Sequence, residues 1–356
     1  MKLLIAGGGT GGHVFPAMAV AREWLKRGKE REVVIVGTAR GIEAKLVPAA
    51  GLPLEMLRVR GLKGIGGRRL AGNLALLPLG FWDATSVLRR HRFSAALGVG
   101  GYASGPMMLA AILSRVPSVL FEPNVQPGFT NSVLGRLVRR VAVAHEETAE
   151  RWPGKSAVTG CPVRAEFFQA PEPACRLPIR LLVTGGSQGS RVINRAILGA
   201  LDQLVERKDD LAVVHQTGER QFLEVEEGYR RRGFSAEVRP FLDDMPARFA
   251  QADLIVCRSG AITVAEVAAA GRAAIFIPFG AATDSHQLRN AQAMARAGAG
   301  RLISEGELTP DRLAQEILQL IDQPGQLAEI ARRARALGSP RATEAIVDLL
   351  EEVARR

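Results

Sequence analysis

Short, largely apolar runs recur along the chain at residues 3–6, 33–36, 95–99, 118–121 and 140–144. Longer stretches of helical character lie between them, amphipathic or rich in Ala, as at residues 16–27 and 106–114. Strand-like runs alternating with helical ones predict a parallel sheet with right-handed crossovers. The pattern stops across residues 159–178, which hold Pro162, Pro171, Pro173 and Pro178. Proline lacks an N–H and fixes φ, so it discourages regular structure there. The pattern then restarts at residues 180–184, 211–216, 236–239, 254–257 and 274–278. Two doubly wound α/β domains are therefore predicted, residues 1–163 and 164–340, joined by a proline-rich linker. Residues 326–356, rich in Ala, Arg and Glu, follow a break at Pro324-Gly325. They predict a helical ending, with residues 341–356 as a closing helix that can pack back on the first domain.

The second half opens as the first does. Leu181-Leu182-Val183-Thr184-Gly185-Gly186-Ser187 echoes Leu3-Leu4-Ile5-Ala6-Gly7-Gly8-Gly9. Each copy is an apolar strand running into a glycine loop.

Composition narrows the class. A chain of 356 residues, 47% hydrophobic, can bury two sizeable cores. Its three cysteines are odd in number and unpaired by spacing, as in a reduced cytosolic protein. The first apolar run stops at glycines, as a strand does, and is too short for a signal peptide. The net charge of +11 is uneven: residues 1–163 hold 22 Lys and Arg against 10 Asp and Glu, and residues 164–356 hold 25 against 26. An anionic partner is expected for the first half alone.

Three glycine loops stand at strand-to-helix junctions. They are Ala6-Gly7-Gly8-Gly9-Thr10-Gly11-Gly12-His13, Gly98-Val99-Gly100-Gly101-Tyr102-Ala103-Ser104-Gly105-Pro106 and Gly185-Gly186-Ser187-Gln188-Gly189-Ser190-Arg191. Glycines admit a phosphate close to the backbone, and a helix N-terminus favours its charge. The first loop also fits GxGxxG at Gly7, Gly9 and Gly12, which raises a dinucleotide site as a competing reading. That reading wants an acidic residue at the end of the second strand, where this chain has Val36-Gly37-Thr38.

Two further stretches carry polar groups suited to a nucleotide sugar. In Arg258-Ser259-Gly260-Ala261-Ile262-Thr263-Val264-Ala265-Glu266, Thr263 and Glu266 share a helical face. A carboxylate there can accept from both hydroxyls of a ribose diol; a solvated Glu after a helix cap is the plainer alternative. Gln287 and Asn290 are three apart on a predicted helix, and amides suit sugar hydroxyls.

The set Gly9-Thr10-Gly11-Gly12-His13, Gly100-Gly101-Tyr102 to Pro106, Gly160-Cys161-Pro162-Val163-Arg164, Gly185-Gly186-Ser187-Gln188-Gly189 and Cys257-Arg258-Ser259-Gly260 to Glu266 occurs in order over most of the chain. Asp284 to Asn290 adds a looser match. Together they resemble the MurG family, the lipid-linked N-acetylglucosaminyltransferases of bacterial cell-wall synthesis in glycosyltransferase family 28. The resemblance implies a GT-B fold: α/β, with two Rossmann-like doubly wound parallel-sheet domains and an active site in the cleft between them. It implies transfer of GlcNAc from UDP-GlcNAc to the 4-hydroxyl of MurNAc in undecaprenyl-diphosphate-MurNAc-pentapeptide (lipid I), giving lipid II and UDP. The first domain is expected to take the acceptor and the second the donor.

By the same resemblance, Arg164 and Ser187 contact the nucleotide and diphosphate, and Leu242 offers its backbone to the uracil. Glu266 holds the ribose. Ala261, Ile262, Thr263, Val264 and Ala265 line the sugar–phosphate region, and Gln287 reaches the GlcNAc. Thr10, Gly11 and Gly12, with Asn124, border the sugar and the acceptor from the first domain. The chain departs from the family in two places. Phe121-Glu122-Pro123-Asn124 replaces the common His-Glu-Gln-Asn, and residues 280–282 lack the usual Gln or His. Pro123 restricts the residue before it, so that loop is expected to differ.

Inverting transfer needs a base for the acceptor hydroxyl, and His13 is the candidate. A helix N-terminus disfavours the imidazolium and keeps a neutral ring, which a base must be; a capping or packing histidine is the alternative. There is no DxD motif, and no metal or cofactor is expected. Helix N-termini and Arg164 can stabilise the leaving diphosphate instead.

Residues 58–92 hold Arg58, Arg60, Lys63, Arg68, Arg69, Arg89, Arg90 and Arg92 against Asp83 as the one acid. Between them, residues 74–82 are apolar but too short to span a bilayer. Peripheral attachment to an anionic membrane surface, at the cytoplasmic face of the plasma membrane, is expected. A buried helix with solvated flanks is the alternative. No stacking aromatics support a nucleic-acid partner. Rival functions are another GT-B glycolipid transferase, a UDP-GlcNAc epimerase, or a non-catalytic nucleotide-sugar-binding protein.

Overall fold

The computed structural model describes residues 1–59, 77–280 and 285–355. The chain divides into two compact units: Met1–Val163 with Arg341–Arg356, and Arg164–Pro340. Each unit is built on one parallel sheet.

In the first unit the strands are β1 (Lys2–Gly7), β2 (Glu32–Gly37), β3 (Leu54–Met56), β4 (Ala95–Gly100), β5 (Ser118–Glu122), β6 (Arg140–Val143) and β7 (Ser156–Val158). Their order in the sheet is β3-β2-β1-β4-β5-β6-β7. The order reverses between β1 and β4, whose carboxyl ends carry the first two glycine loops. Ligands of open α/β sheets bind at that kind of switch point. In the second unit, β8 (Ile179–Thr184), β9 (Leu211–Gln216), β10 (Ala236–Arg239), β11 (Leu254–Cys257), β12 (Ala273–Phe276) and β13 (Arg301–Leu302) follow the order β10-β9-β8-β11-β12-β13. Here the switch lies between β8 and β11. The third glycine loop and residues 258–260 follow those two strands.

The apolar runs became strands because both faces of each sheet are covered. Leu3, Leu4 and Ile5 of β1 and Leu254, Ile255 and Val256 of β11 are fully buried. Each such side chain contributes about 1.5–3 kcal/mol relative to exposure. The strands without an apolar run, β3, β7 and β13, were not expected. They are two or three residues long and sit at sheet edges. Their pairing is set by register with β2, β6 and β12 rather than by their own composition.

Two helix boundaries also differ from expectation. The first helix starts at Gly11, not at residue 16, and carries Pro16 inside it. Proline has no N–H to donate to the residue four earlier, so the carbonyl of Gly12 makes no helical bond with it. The terminal helical stretch is two helices, Pro324–Ala336 and Ala342–Arg355. Pro324 begins the first of them, where a missing N–H is harmless; the interruption comes at residues 337–341.

The helix Ala342–Arg355 belongs to the first unit. It packs on the helix Gly11–Lys26 and on β4, β5 and β6. Ile346, Val347, Leu350 and Val353 are buried. Arg27 donates to Glu351 at 3.2 Å and to the Glu344 carbonyl at 3.1 Å, and Arg31 pairs with Glu351 at 2.8 Å. These pairs are largely buried, at 14–21% side-chain exposure, and the cost of removing their charges from water offsets much of their attraction, so the apolar face supplies most of the docking energy.

In the second unit, Arg272 is fully buried. It donates to the carbonyls of Phe249 (2.7 Å), Ala250 (2.8 Å), Gly271 (3.2 Å) and Pro171 (2.7 Å). Burial pulls its guanidinium down to about 10, and the four carbonyls replace the water it has lost. The bond to Pro171 fastens the proline-rich linker to the unit.

Candidate active site

In the first unit the two glycine loops meet. The helix Gly11–Lys26 opens without a side-chain cap, and the N–H groups of His13 and Val14 both turn to the Thr10 carbonyl. The amides of Gly11 and Gly12 precede the first helical bond and suit an anion. His13 is half-buried, with Nδ1 3.2 Å from Thr10 Oγ1. Its ring lies against Gly100: a Cβ there would come within 2.8 Å of His13 Cδ2. Gly100 also has φ of +95°, so glycine is needed at that position on two counts. Gly101 packs its Cα on the Gly8 carbonyl, and the exposed Tyr102 stands beside Gly9. Burial lowers His13 from its ordinary range, while the Gly8 carbonyl and the charge of Glu43 pull it back up. A neutral ring at neutral pH follows.

Glu43 was not expected. It is fully buried beneath the first loop and accepts from Gly9 N–H (2.7 Å), Thr38 N–H (2.9 Å) and Thr38 Oγ1–H (2.9 Å). The Gly9 amide is therefore taken.

Asn124 donates its backbone N–H (3.0 Å) and its side-chain amide (2.9 Å) to the buried Glu122. Glu122 also holds Gly128 N–H at 3.1 Å and Asn131 Nδ2 at 2.9 Å. The loop containing Pro123 is thus folded over one carboxylate.

In the second unit, the helix Ala261–Ala270 starts at Gly260 with no side-chain cap. Its first helical bond runs from Val264 N–H to the Gly260 carbonyl. The amides of Ala261, Ile262 and Thr263 are the ones that bonding leaves over. The expectation for Val264 and Ala265 is corrected accordingly, since their amides belong to the helix. Glu266, one turn along, is pushed up to about 7 by burial, opposed by the charge of Arg164. Arg164 lies 5.1 Å over the ring of Phe167, which packs edge-on against Phe249.

Ser187 is exposed at the tip of the third loop. The buried Gln216 ties that loop to residue 242, a link sequence reasoning missed. Gln216 Nε2 donates to the Gly186 carbonyl at 2.8 Å, and its Oε1 accepts from Leu242 N–H at 2.8 Å. With that N–H in use, the carbonyl is the backbone group that Leu242 can offer.

Arg258 gathers the remaining strand ends. It donates to the carbonyls of Ile277 (3.2 Å) and Pro278 (3.1 Å), to Ser190 Oγ (2.8 Å) and to Glu305 (3.0 Å). Gln287 accepts from Phe279 N–H at 3.0 Å through its side-chain oxygen. Asn290 corrects the sequence expectation: it is fully buried and donates to the Ser259 carbonyl at 3.2 Å, so it braces the site instead of facing a sugar. Asp284 and residues 281–283 lie outside the described residues. Among the described residues, no group of His, Cys, Asp and Glu is arranged to hold a metal ion.

The Glycosyltransferase family 28 N-terminal domain matches residues 3–143, and the Glycosyltransferase family 28 C-terminal domain matches residues 180–349. The chain belongs to glycosyltransferase family 28. A relative of this family 28 glycosyltransferase from Anaeromyxobacter dehalogenans (strain 2CP-C) is 45% identical over 100% of the chain and 94% of its own length. It is named UDP-N-acetylglucosamine--N-acetylmuramyl-(pentapeptide) pyrophosphoryl-undecaprenol N-acetylglucosamine transferase. A protein of the same name from Myxococcus xanthus (strain DK1622) is 46% identical over 98% of the chain and 92% of its own. Among solved structures, MurG of Acinetobacter baumannii superposes with a TM-score of 0.80 at 32% identity, covering 99% of both chains. The UDP-GlcNAc 2-epimerase of Neisseria meningitidis, at 16% identity and a TM-score of 0.68, shares the fold. The GT-B architecture and the glycosyltransferase class expected from the motifs are borne out.

The basic and apolar segment is less simple than its sequence. Arg60, Lys63, Arg68 and Arg69, and residues 74–76, lie outside the described residues. Arg58 pairs with Asp83 at 2.6 Å and Arg90 with Glu55 at 2.9 Å, so two of the eight cations are neutralised locally. The helix Leu77–Arg90 turns Gly80, Ala84 and Val87 inward and exposes Leu79 and Trp82, the latter at 65%. It packs on the helix Ser104–Leu113, which packs on the helix Phe129–Leu134. Those neighbours expose Leu109, Leu113, Phe129 and Val133. No helix among the described residues is long and apolar enough to cross a membrane.

Proposed function

We propose that this enzyme transfers GlcNAc from UDP-GlcNAc to the MurNAc 4-hydroxyl of lipid I, with inversion, giving lipid II and UDP. The observation that carries the reading is the full-length identity, near 45%, to transferases of that name. The geometry supplies the parts such a reaction needs.

The second unit takes the donor. The open amides of Ala261, Ile262 and Thr263, with Ser187 and Arg164, meet the diphosphate; Glu266 takes the ribose diol, the Leu242 carbonyl the uracil, and Gln287 the GlcNAc hydroxyls. The first unit takes the acceptor at Thr10, Gly11, Gly12 and Asn124. His13 removes the proton from the acceptor hydroxyl as its oxygen bonds to the anomeric carbon. The bond from that carbon to the β-phosphate oxygen breaks, and its electron pair leaves with UDP. Fixed amide dipoles already aimed at the developing charge lower the barrier, because they need no reorganisation. Mass spectrometry of a lipid I analogue after reaction tests the assignment. A gain of one GlcNAc in β linkage is expected; hydrolysis or epimerisation of UDP-GlcNAc with the acceptor untouched would overturn it.

The acceptor is a lipid, and the exposed side chains Leu79, Trp82, Leu109, Leu113, Phe129 and Val133 support a peripheral hold on a membrane. The excess positive charge of the first unit favours an anionic surface. In liposome sedimentation, anionic vesicles should carry more protein down than neutral ones. Equal binding to both would remove the electrostatic part.

A further inference from the structure

Beneath the first glycine loop sits a carboxylate to which the reaction just described gives no task. Glu43 opens the helix Glu43–Ala49, yet it is fully buried under residues 8 and 9. Three neighbours are glycines where any side chain would collide with it: Gly8, Gly37 and Gly41. Both carboxylate oxygens are engaged, Oε1 by the Thr38 N–H and hydroxyl and Oε2 by the Gly9 N–H. A buried anion is tolerated only when it is fully hydrogen-bonded, so these three donors and Glu43 fix one another.

The Gly9 N–H that Glu43 holds and the Gly8 carbonyl are the two ends of one peptide group. Thr10, the residue after that peptide, has its Oγ1 3.2 Å from His13 Nδ1, and the Gly8 carbonyl favours the charged ring. The Cα of Gly101 closes over the same carbonyl, and Gly100 backs the ring itself. A carboxylate, a peptide and an imidazole therefore stand in series. A histidine base needs a partner on one nitrogen to set its tautomer and orientation. Here the partner on Nδ1 is Thr10 Oγ1, one residue past the peptide whose N–H Glu43 holds.

We propose that Glu43 is the positioning residue for His13, acting through the peptide between Gly8 and Gly9. This rests on the assignment of His13 as the base. Glu43 touches no substrate; it fixes the peptide plane, and the plane fixes the ring. Its negative charge, close to the ring, favours the imidazolium that forms when the acceptor proton arrives.

The test is a double-mutant cycle on turnover of UDP-GlcNAc with a lipid I analogue. Glu43→Gln keeps the volume but turns an NH₂ toward Gly9 N–H or Thr38 N–H, donor against donor. It should lower kcat about 10- to 100-fold, in the range of lost orienting partners and small misplacements, and leave KM for UDP-GlcNAc within about twofold. In the His13→Ala background the same change should cost nothing further. A structural defect would instead slow both backgrounds alike. Where the glutamine variant does not fold, Glu43→Asp replaces it, with the charge kept and the reach to Gly9 shortened by one methylene; the same non-additivity is expected. Wild-type turnover in Glu43→Gln, or an equal loss in both backgrounds, would overturn the proposal while leaving His13 as base. Wild-type turnover in His13→Ala would overturn the base assignment itself and the proposal with it.

Discussion

Donor binding should depend on pH through Glu266, in a direction the structure determines. Burial pushes this carboxyl up to about 7. To accept from both ribose hydroxyls it must be ionised, so the bound complex holds it below its free value. The sign follows: UDP-GlcNAc binding releases a proton below pH 7 and becomes pH-independent well above it. At pH 6, ionising the group costs about 1.4 kcal/mol, so Kd should rise about tenfold per pH unit on the acid side. The diphosphate of UDP-GlcNAc is a diester and does not titrate in this range. Glu266→Gln gives up one charge-assisted hydrogen bond, worth about 1.5–3 kcal/mol, so its Kd at pH 8 should be roughly 10- to 150-fold weaker. At pH 6, where the wild-type enzyme already carries the ionisation cost, the gap should shrink about tenfold. Titration calorimetry at pH 6, 7 and 8, in two buffers of different ionisation enthalpy, reads both affinity and proton release. A wild-type Kd equal at pH 6 and 8, or the same slope in Glu266→Gln, would refute the reasoning.

Other expectations concern base, metal, stability and membrane. His13→Ala should lower kcat by about 10²–10⁴, the span of general base catalysis, with UDP-GlcNAc affinity unchanged by calorimetry. Stringent chelation should leave turnover intact if, as proposed, amides and Arg164 meet the diphosphate; loss of activity restored by Mg²⁺ would count against that. His215 is fully buried, bonded to Tyr229 Oη and Asn194 Oδ1 at 3.1 Å each, and held down to about 3 by burial. Unfolding lets this ring take a proton the fold refuses, so stability is complete above pH 6.5 and falls toward pH 3. At pH 5 the loss should be about 2 kcal/mol from this group, and urea unfolding of His215→Gln should show a shallower acid dependence. Trp82→Ser and Phe129→Ser should each weaken sedimentation with anionic vesicles by about tenfold, given about 1.5–3 kcal/mol per buried aromatic, without altering UDP-GlcNAc binding.

Much of this was legible because parallel sheets bury both faces. Runs such as Leu3-Leu4-Ile5 and Leu254-Ile255-Val256 can form little else, and their carboxyl ends mark where ligands bind. The edge strands β3, β7 and β13 carry no such run and were hidden. Within the site, the glycine-rich strand-to-helix junctions could be located from turn chemistry, although the first helix begins at Gly11, five residues before its apolar pattern does. The bracing groups could not. A search for an acid at the end of β2 found Thr38; the acid comes at Glu43, and only the fold brings Gly8, Gly37 and Gly41 around it. Gln216 and Arg258 likewise read as ordinary strand-end residues until β8, β9, β11 and β12 are placed side by side. Arg272 did leave a signal, a lone cation between Ala268-Ala269-Ala270-Gly271 and Ala273-Ala274-Ile275-Phe276, the mark of a buried charge feeding carbonyls. Asn290 misled because an amide one turn from Gln287 looks the same in sequence whether it faces a sugar or a strand end.

The measurement closest to the central claim is UDP release from UDP-GlcNAc, followed with and without a lipid I analogue. Release that is negligible alone and rises steeply with the analogue, one UDP for each GlcNAc transferred, is the predicted result. Release at the same rate in the absence of the analogue, or none in its presence, would contradict the account.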